Sequence, residues 1–499
     1  MILLQVGQCG IQVGQSLAQL LEAEDCLMDR ILVDTERKTL PPNPTATRNT
    51  RLTIVDAGTA GRGNNWAHGY SDDAGAEKTI EALRRSVEAE TDACWDPVAI
   101  GPGVLLVQSI AGGTGSGLGS RLTEDIRDEY PKRFLWNCAI SPFASGETAL
   151  QHYNSLLSLS TLQRNSDLIS LFSNDILLNT VAKQHALVKG NARGDPKVTL
   201  NEINEQIAHT LAGVLLPVSP VFQNGDGELR HCPMRGFSGF DLITQVAPLP
   251  ACKISSLATS INVVGEDADR RRATSKGIIP AIGWEDLTTD LMRNMASAPL
   301  AQKRSHISSR LYARNAVGPE FWSRADKMDA KIKQKLGASV VSPPAQDLEL
   351  FASSTFGMNP KSAQRSLTLV SNDSDIIPSL SHLLDRARTM HASGAYLHWY
   401  DRHYIRHHAF ARPFHVPEGR GTKNGWDSTV DVLGLEDRRR LRLGERWEDR
   451  AEDLVPWPWT WREGERLWSA KDWEVEGLFD EAFECIEGVL EDYKEFCTV

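Results

Sequence analysis

Ala111-Gly112-Gly113-Thr114-Gly115-Ser116-Gly117 is the stretch on which the fold of this chain turns. It follows the apolar run Val104-Leu105-Leu106-Val107 and precedes a segment in which Leu118, Leu122 and Ile126 recur every four residues. A strand is therefore predicted to feed a helix through a loop almost without side chains. Such a loop leaves several backbone N–H groups bare at the positive end of a helix dipole, an arrangement that binds phosphate. The spacing is neither G-x-x-x-x-G-K-[S/T] nor G-x-G-x-x-G, so neither the P-loop nor the dinucleotide fingerprint is present. Four glycines within residues 112–117, with Thr114 and Ser116 between them as hydroxyl donors, distinguish the segment from an ordinary glycine turn.

Outward from this loop, roughly the first 175 residues alternate short apolar runs with helical patterns, as a parallel sheet covered on both faces requires. The predicted strands are 2–6, 30–34, 52–56, 104–110, 134–140 and 168–172. Polar loops follow most of them: Gly7-Gln8-Cys9-Gly10, Asp34-Thr35-Glu36-Arg37 and Gly61-Arg62-Gly63-Asn64-Asn65. In an open α/β sheet ligands sit at the carboxyl ends of the strands, so these loops are expected to share one pocket. Residues 201–216 read as one long helix with Ile203, Ile207, Leu211, Val214 and Leu215 on a stripe, stopped by Pro217. Residues 218–350 are mixed in character. A closing helix over 478–493 carries Leu478, Phe479, Ala482, Phe483, Ile486, Val489, Leu490 and Tyr493 on one face. Between about 401 and 475 lie seven of the thirteen tryptophans and many arginines. That composition fits either a partly disordered insertion or a binding surface, since Trp and Arg dominate interface hot spots.

A chain of 499 residues is too long for one core. Its net charge of −11 argues against general affinity for nucleic acid or anionic membranes. No stretch approaches the about 20 apolar residues that span a bilayer. The N-terminus reads as a first strand rather than a signal sequence. Eight cysteines without C-x-x-C or zinc spacing fit a reduced cytosolic compartment.

Gly7-Gln8-Cys9-Gly10, Asn64-Asn65-Trp66-Ala67-His68-Gly69-Tyr70, the 111–117 loop and His152-Tyr153-Asn154-Ser155-Leu156-Leu157-Ser158-Leu159 resemble, in order and spacing, motifs of the tubulin superfamily. The Ala-Gly-Gly form of the loop and the Trp-Ala-His-Gly-Tyr run are most similar to its delta branch. The resemblance implies an α/β, tubulin-like fold. A Rossmann-like parallel-sheet GTP-binding domain (1–200) is followed by a core helix (201–217) and a mixed α/β intermediate domain (218–350). A C-terminal helical domain (351–499) then contains the 401–475 insertion.

It also implies GTP or GDP as ligand. Gly112, Gly113, Thr114, Gly115 and Ser116 would cradle the phosphates, with Ser109 just upstream. Gln8, Cys9, Gln12 and Asn64 would line the first loops. Glu147 would accept from ribose hydroxyls. Asn174 and Asn204 would offer carboxamides to the guanine edge, whose O6 accepts while N1 and N2 donate. Asp34 and Glu36 resemble the acids on the Mg²⁺ side, or else form a solvated turn; Arg37 replaces the usual proline. Leu200 stands where the family stacks an aromatic ring on the base, which implies weaker nucleotide affinity. Asp241 occupies the position of an acid that acts in trans on the next subunit's nucleotide, or else is a surface acid. The partners implied are alpha/beta-tubulin or other centriolar tubulins, in the cytoplasm and cytoskeleton, at centriole, basal body or centrosome.

Overall fold

The computed structural model describes residues 1–23, 26, 28–40, 51–58, 60–92, 103–146, 148–189, 198–216, 219–223, 229–231, 238–261, 283–295, 305–314, 319–339, 349–353, 365–403 and 470–497. Strands β1 (Ile2–Val6), β2 (Asp29–Asp34), β3 (Leu52–Asp56), β4 (Val104–Ser109), β5 (Leu135–Ser141) and β6 (Leu168–Ser173) run parallel in the order β3-β2-β1-β4-β5-β6. Each begins and ends within one residue of the run read from the sequence. Helices α1 (Gly7–Ala23), α2 (Trp66–Tyr70), α3 (Asp73–Asp92), α4 (Gly119–Glu129), α5 (Gln151–Asn165) and α6 (Asn174–Lys189) lie between or after them, and α7 (Leu200–Leu215) is the long helix.

The alternation of side chains along the strands sorts them into two cores. Leu3, Leu105, Val107, Trp136 and Cys138 pack with α1 and α7. Ile2, Leu4, Val6, Val104 and Leu106 pack with α3 and α4 on the other face. Strand order reverses between β1 and β4, and at such a switch point the diverging connections leave a crevice at the carboxyl edge. The glycine loop follows β4 and the first helix follows β1, so both open into that crevice.

Helix α7 is fixed at both ends. A capping box opens it: Thr199 Oγ1 accepts from the Glu202 N–H at 3.4 Å, and the Glu202 carboxylate accepts from the Thr199 N–H at 2.8 Å. At the other end the buried Arg314 guanidinium donates to the carbonyls of Gly213 at 2.7 Å and Leu216 at 2.5 Å. A cation there meets the unpaired carbonyls and the negative end of the dipole.

The same sheet continues through β9 (Ile254–Ile261), which pairs parallel to β6 at Ile169–Ile254 and Ser170–Ser255. Beyond it, β13 (Ser366–Asp373) and β10 (Ser305–Arg314) run antiparallel in turn. β12 (Glu349–Ser353), β7 (Ser219–Gln223) and β8 (Leu229–His231) complete the path, and β11 (Ala338–Ser339) pairs with β10. Helices α8 (Gly239–Val246), α9 (Trp284–Asn294) and α10 (Pro319–Leu336) cover this part, where Trp284, Leu287, Leu291 and Phe321 pack against Leu311 and Leu367. Helices α11 (Ile376–Ala392) and α12 (Ala470–Cys497) follow. Buried Asn372 donates to the carbonyls of Val246 at 2.9 Å and Cys252 at 2.7 Å and accepts from the Tyr493 hydroxyl at 2.8 Å. The apolar stripe expected on the closing helix is buried from Phe479 to Tyr493, with Leu478 half-buried.

Two compact units are present, Met1–Ala395 with Glu481–Val499, and Tyr396–Asp480. In the second, the rings of Tyr400 and Phe479 meet edge to face at 5.3 Å, while Tyr396 and Trp399 are exposed. Most of the Trp- and Arg-rich stretch, residues 404–469, lies outside the described residues.

Candidate functional site

The first turn of α1, which follows β1 directly where a loop is expected over 7–10, and the loops after β2, β3 and β4 meet at the carboxyl edge of the parallel strands. Gly7 has φ of +73°, which only glycine adopts freely, and a Cβ there would stand 3.1 Å from the Gly115 nitrogen. The start of α1 therefore lies against the glycine loop with no side chain between them. Thr35 after β2 reaches across to Thr114, their hydroxyls 2.9 Å apart. From the β3 side, the Arg62 carbonyl lies 2.8 Å from where a Gly113 Cβ would stand. A Gly112 Cβ would meet nothing, so the crest of the loop is open.

The loop expected over 111–117 is a bend at 111–113 followed by a π-helical turn, Thr114–Leu118, that runs into α4. Such π turns are frequent at functional sites. Backbone contact with α2 holds this one: a Cβ on Gly69 would collide with the Gly113 carbonyl, and one on Gly117 with the Trp66 carbonyl. Helix α5 braces it from beneath. Asn154, fully buried, donates to the carbonyls of Ala111 at 2.7 Å and Asn64 at 2.8 Å, and accepts from the Trp66 N–H at 2.9 Å. Ser158 donates to the Ser116 carbonyl at 3.2 Å and Ser155 to that of Ile110 at 3.4 Å.

The site residues read from the sequence fall in several places. Gly112 and Thr114 are half-buried on the loop crest, and Gly113 and Gly115 are buried beside them. Ser116 is fully buried and its hydroxyl donates to the Gly112 carbonyl, so it braces the loop from within. Ser109 Oγ accepts from the Ala111 N–H at 3.3 Å. Gln8 is exposed and Cys9 half-buried at the start of α1. Gln12, one turn on, accepts from the Asn204 side-chain amide at 3.3 Å, which joins α1 to α7 by a pair of carboxamides. Asn204 is buried. Leu200, one turn ahead of it on the same face of α7, is 61% exposed, an uncommon state for a leucine. Asn64 is exposed with φ of +50°, and Asn65 caps α2, accepting from the His68 N–H at 3.1 Å. Asn174, the first residue of α6, is half-buried at the end of β6. Glu147 lies outside the described residues.

The two acids after β2 differ. Asp34 is buried and accepts from the Thr35 N–H at 2.7 Å and the Thr39 hydroxyl at 2.5 Å. Burial pushes its carboxyl above the usual range against the pull of those hydrogen bonds. Glu36 is half-buried at the rim, 2.6 Å from the ammonium of Lys38. Among the described residues no group of three or more His, Cys, Asp or Glu could by itself hold a metal ion. One rim carboxylate fits a cation held chiefly by phosphates and water, as Mg²⁺ is. Glu36 meets that description, and Asp34 holds the shape of the loop.

Asp241 is exposed in the first turn of α8. Ser238 caps that helix, its hydroxyl accepting from the Asp241 N–H at 3.2 Å. Gly239 packs on Phe134, which immediately precedes β5, so α8 starts at the amino edge of the parallel strands. A strand of this length separates that edge from the glycine loop by about 20 Å. Asp241 therefore cannot serve the pocket of its own chain.

The sequence reading missed the braces: Asn154, Ser155, Ser158 and Thr35. Their signal was present. Buried polar residues in mid-helix, as in Asn154-Ser155-Leu156-Leu157-Ser158, cost helix propensity and call for partners.

Residues 1–182 match the family described as Tubulin/FtsZ family, GTPase domain. The first of the two compact units thus contains a tubulin/FtsZ-family GTPase domain. The chain is 25% identical to the tubulin delta chain of Canis lupus familiaris over 72% of its own length and 76% of that protein's. It is 26% identical to the tubulin delta chain of Homo sapiens over 71% and 76%. Similarity to the tubulin gamma chain of Saccharomyces cerevisiae is higher, at 35%, but spans only 33% of this chain and 32% of that one. The similarity to tubulins predicted from four short motifs is borne out by these matches, and a GTPase domain of this kind implies a guanine nucleotide. Among the described residues no helix is long and apolar enough to cross a membrane.

Proposed function

We propose that this protein is a GTP-binding cytoskeletal protein of the delta-tubulin type. It would serve in the assembly or maintenance of triplet microtubules at centrioles and basal bodies, with bound GTP acting as an assembly or conformational switch. The observation that carries the nucleotide reading is the Gln12–Asn204 pair, which ties the helix after the first strand to the long helix. The phosphates would lie on the amides of 112–115 and the base between the carboxamides of Asn174 and Asn204. Glu36 would hold Mg²⁺ through water or directly, and the ion would neutralise charge on the phosphates. The partners would be alpha/beta-tubulin or other centriolar tubulins.

Hydrolysis, where it occurs, would need Asp241 of a neighbouring copy to orient the attacking water. The placement of that acid on the opposite edge of the sheet favours a head-to-tail contact. A second reading is a non-polymerising GTP-binding adaptor that docks on tubulin or centriolar proteins through 401–475. Its support is the compact unit Tyr396–Asp480 with exposed Tyr396 and Trp399. Sedimentation with GTP and alpha/beta-tubulin separates the two: incorporation into polymer supports the first, and a persistent monomer the second. Asp241→Ala is expected to abolish any phosphate release that depends on assembly. Unchanged release would exclude the role in trans.

A further inference from the structure

Residues 111–117 contain no lysine or arginine, so the cradle itself meets phosphate only with amides and hydroxyls. A cation is nevertheless anchored beside it. The Arg62 backbone abuts Gly113, its Cβ 2.9 Å from where a Gly113 Cβ would stand. From there the side chain turns away past Gly58 and gives an Nη–H to Asp72 Oδ2 at 2.5 Å and to the Ala57 carbonyl at 3.5 Å. Both partners are largely withdrawn from water, with 15% of the arginine and 6% of the aspartate side chain exposed. The other Asp72 oxygen accepts from the Gly75 N–H at 3.1 Å, at the start of α3. The buried Nε–H of Arg62 has no hydrogen-bond partner among the described residues.

A guanidinium offers a rigid fork suited to paired acceptors, and here only part of that fork is engaged. A buried pair with one carboxylate is a modest stabiliser, because its attraction is set against the desolvation of both ions. A terminal phosphate carries more charge and more acceptor oxygens than Asp72 supplies. It would compete well for a guanidinium whose backbone is already seated against the loop.

We propose that Arg62 reads the terminal phosphate of the bound nucleotide, resting on Asp72 when a diphosphate is present and transferring to the γ-phosphate when a triphosphate is present. This rests on the reading of the pocket as a guanine nucleotide site. The exchange makes Asp72 a latch: it sets how readily the arginine is released, and so the preference for triphosphate over diphosphate.

The test uses the full chain and measures the affinities of GDP and a non-hydrolysable GTP analogue by displacement of a fluorescent guanine nucleotide. Arg62→Ala is expected to weaken the GTP analogue about tenfold, the scale of a charge-assisted hydrogen bond, and to leave GDP within about twofold. Arg62→Lys should fall between, having charge without the fork. Asp72→Asn keeps an oxygen for Gly75 and should strengthen the GTP analogue about threefold, since the pair opposing transfer is weakened. Equal weakening of both nucleotides in Arg62→Ala, or loss of GTP-analogue affinity in Asp72→Asn, would overturn the proposal and make Arg62 a brace. Should Arg62→Ala fail to fold, the lysine and asparagine variants still decide. A wild-type protein that binds neither nucleotide would overturn the pocket reading itself, a result distinct from an unselective Arg62→Ala.

Discussion

Asn154 and Asn372 are the same side chain in nearly the same situation. Each is fully buried, each donates to two backbone carbonyls, and each accepts one hydrogen bond. What differs is what they join. Asn154, on α5, ties together the two loops proposed to form the phosphate cradle. Asn372, on β13 in the antiparallel part, ties the end of α8 and the turn before β9 to Tyr493 of the closing helix. One chemistry thus sets the shape of the proposed nucleotide site in the first region and the integrity of the scaffold in the second. The parallel region supplies loops at its carboxyl edge, and the antiparallel region holds α7 and the C-terminal helix in place behind them.

The contrast is most exposed to failure at those two residues. Asn154→Ala and Asn372→Ala are each expected to cost about 3 kcal/mol, since each strands several buried backbone groups. Urea denaturation measures that loss. Only Asn154→Ala should also weaken guanine nucleotide binding by tenfold or more, read at a temperature where both variants are folded. Comparable affinity losses in the two would break the distinction. Next in size is Gly117→Ala. Its methyl group would collide with the Trp66 carbonyl, backbone that cannot step aside, and about 2 kcal/mol should be lost together with nucleotide affinity.

Leu200→Tyr sharpens the comparison from the other direction, adding a flat ring at an exposed position on α7 without touching either asparagine. An affinity gain of several-fold, about 1 kcal/mol, is expected with little change in melting temperature. The smallest effect concerns the junction of α5 with α11, where the rings of His152 and His382 lie 6.1 Å apart. Burial, with His382 and Arg386 nearby, holds the His152 pKa below its ordinary value. A base whose folded pKa is depressed favours folding in its neutral form. Stability should therefore be complete above about pH 6.5 and erode as pH falls below it. His152→Gln should flatten that decline by roughly a few tenths of a kcal/mol, seen in melting temperatures between about pH 5 and pH 7.

Much of the first region was legible because its physics is local. Doubly covered parallel strands are near-continuous apolar runs, and glycine clusters at their ends mark where backbone must approach ligand or backbone. Hence β1 to β6 and the meeting of their loops at the carboxyl edge followed from sequence spacing. Direction and partnership were not legible in the same way. Nothing local says that the Ser116 hydroxyl turns inward to Gly112, that Thr35 meets Thr114, or that Arg62 pairs with Asp72. Those are decided by which loops come together. The antiparallel region was less readable because its order, β9-β13-β10-β12-β7-β8, departs from chain order and its strands bury polar side chains. Arg314, of a residue type seldom fully buried, closes the end of α7 from within.

The proposed function requires a guanine nucleotide pocket at the carboxyl edge of the parallel strands. The most direct measurement is the nucleotide released when freshly purified wild-type protein is denatured, together with what the emptied protein takes up. GTP or GDP is expected near one per chain, with re-uptake of guanine but not adenine nucleotides and loss of both signals in Asn154→Ala. Protein that carries no nucleotide and takes up neither base, while remaining folded, would contradict it.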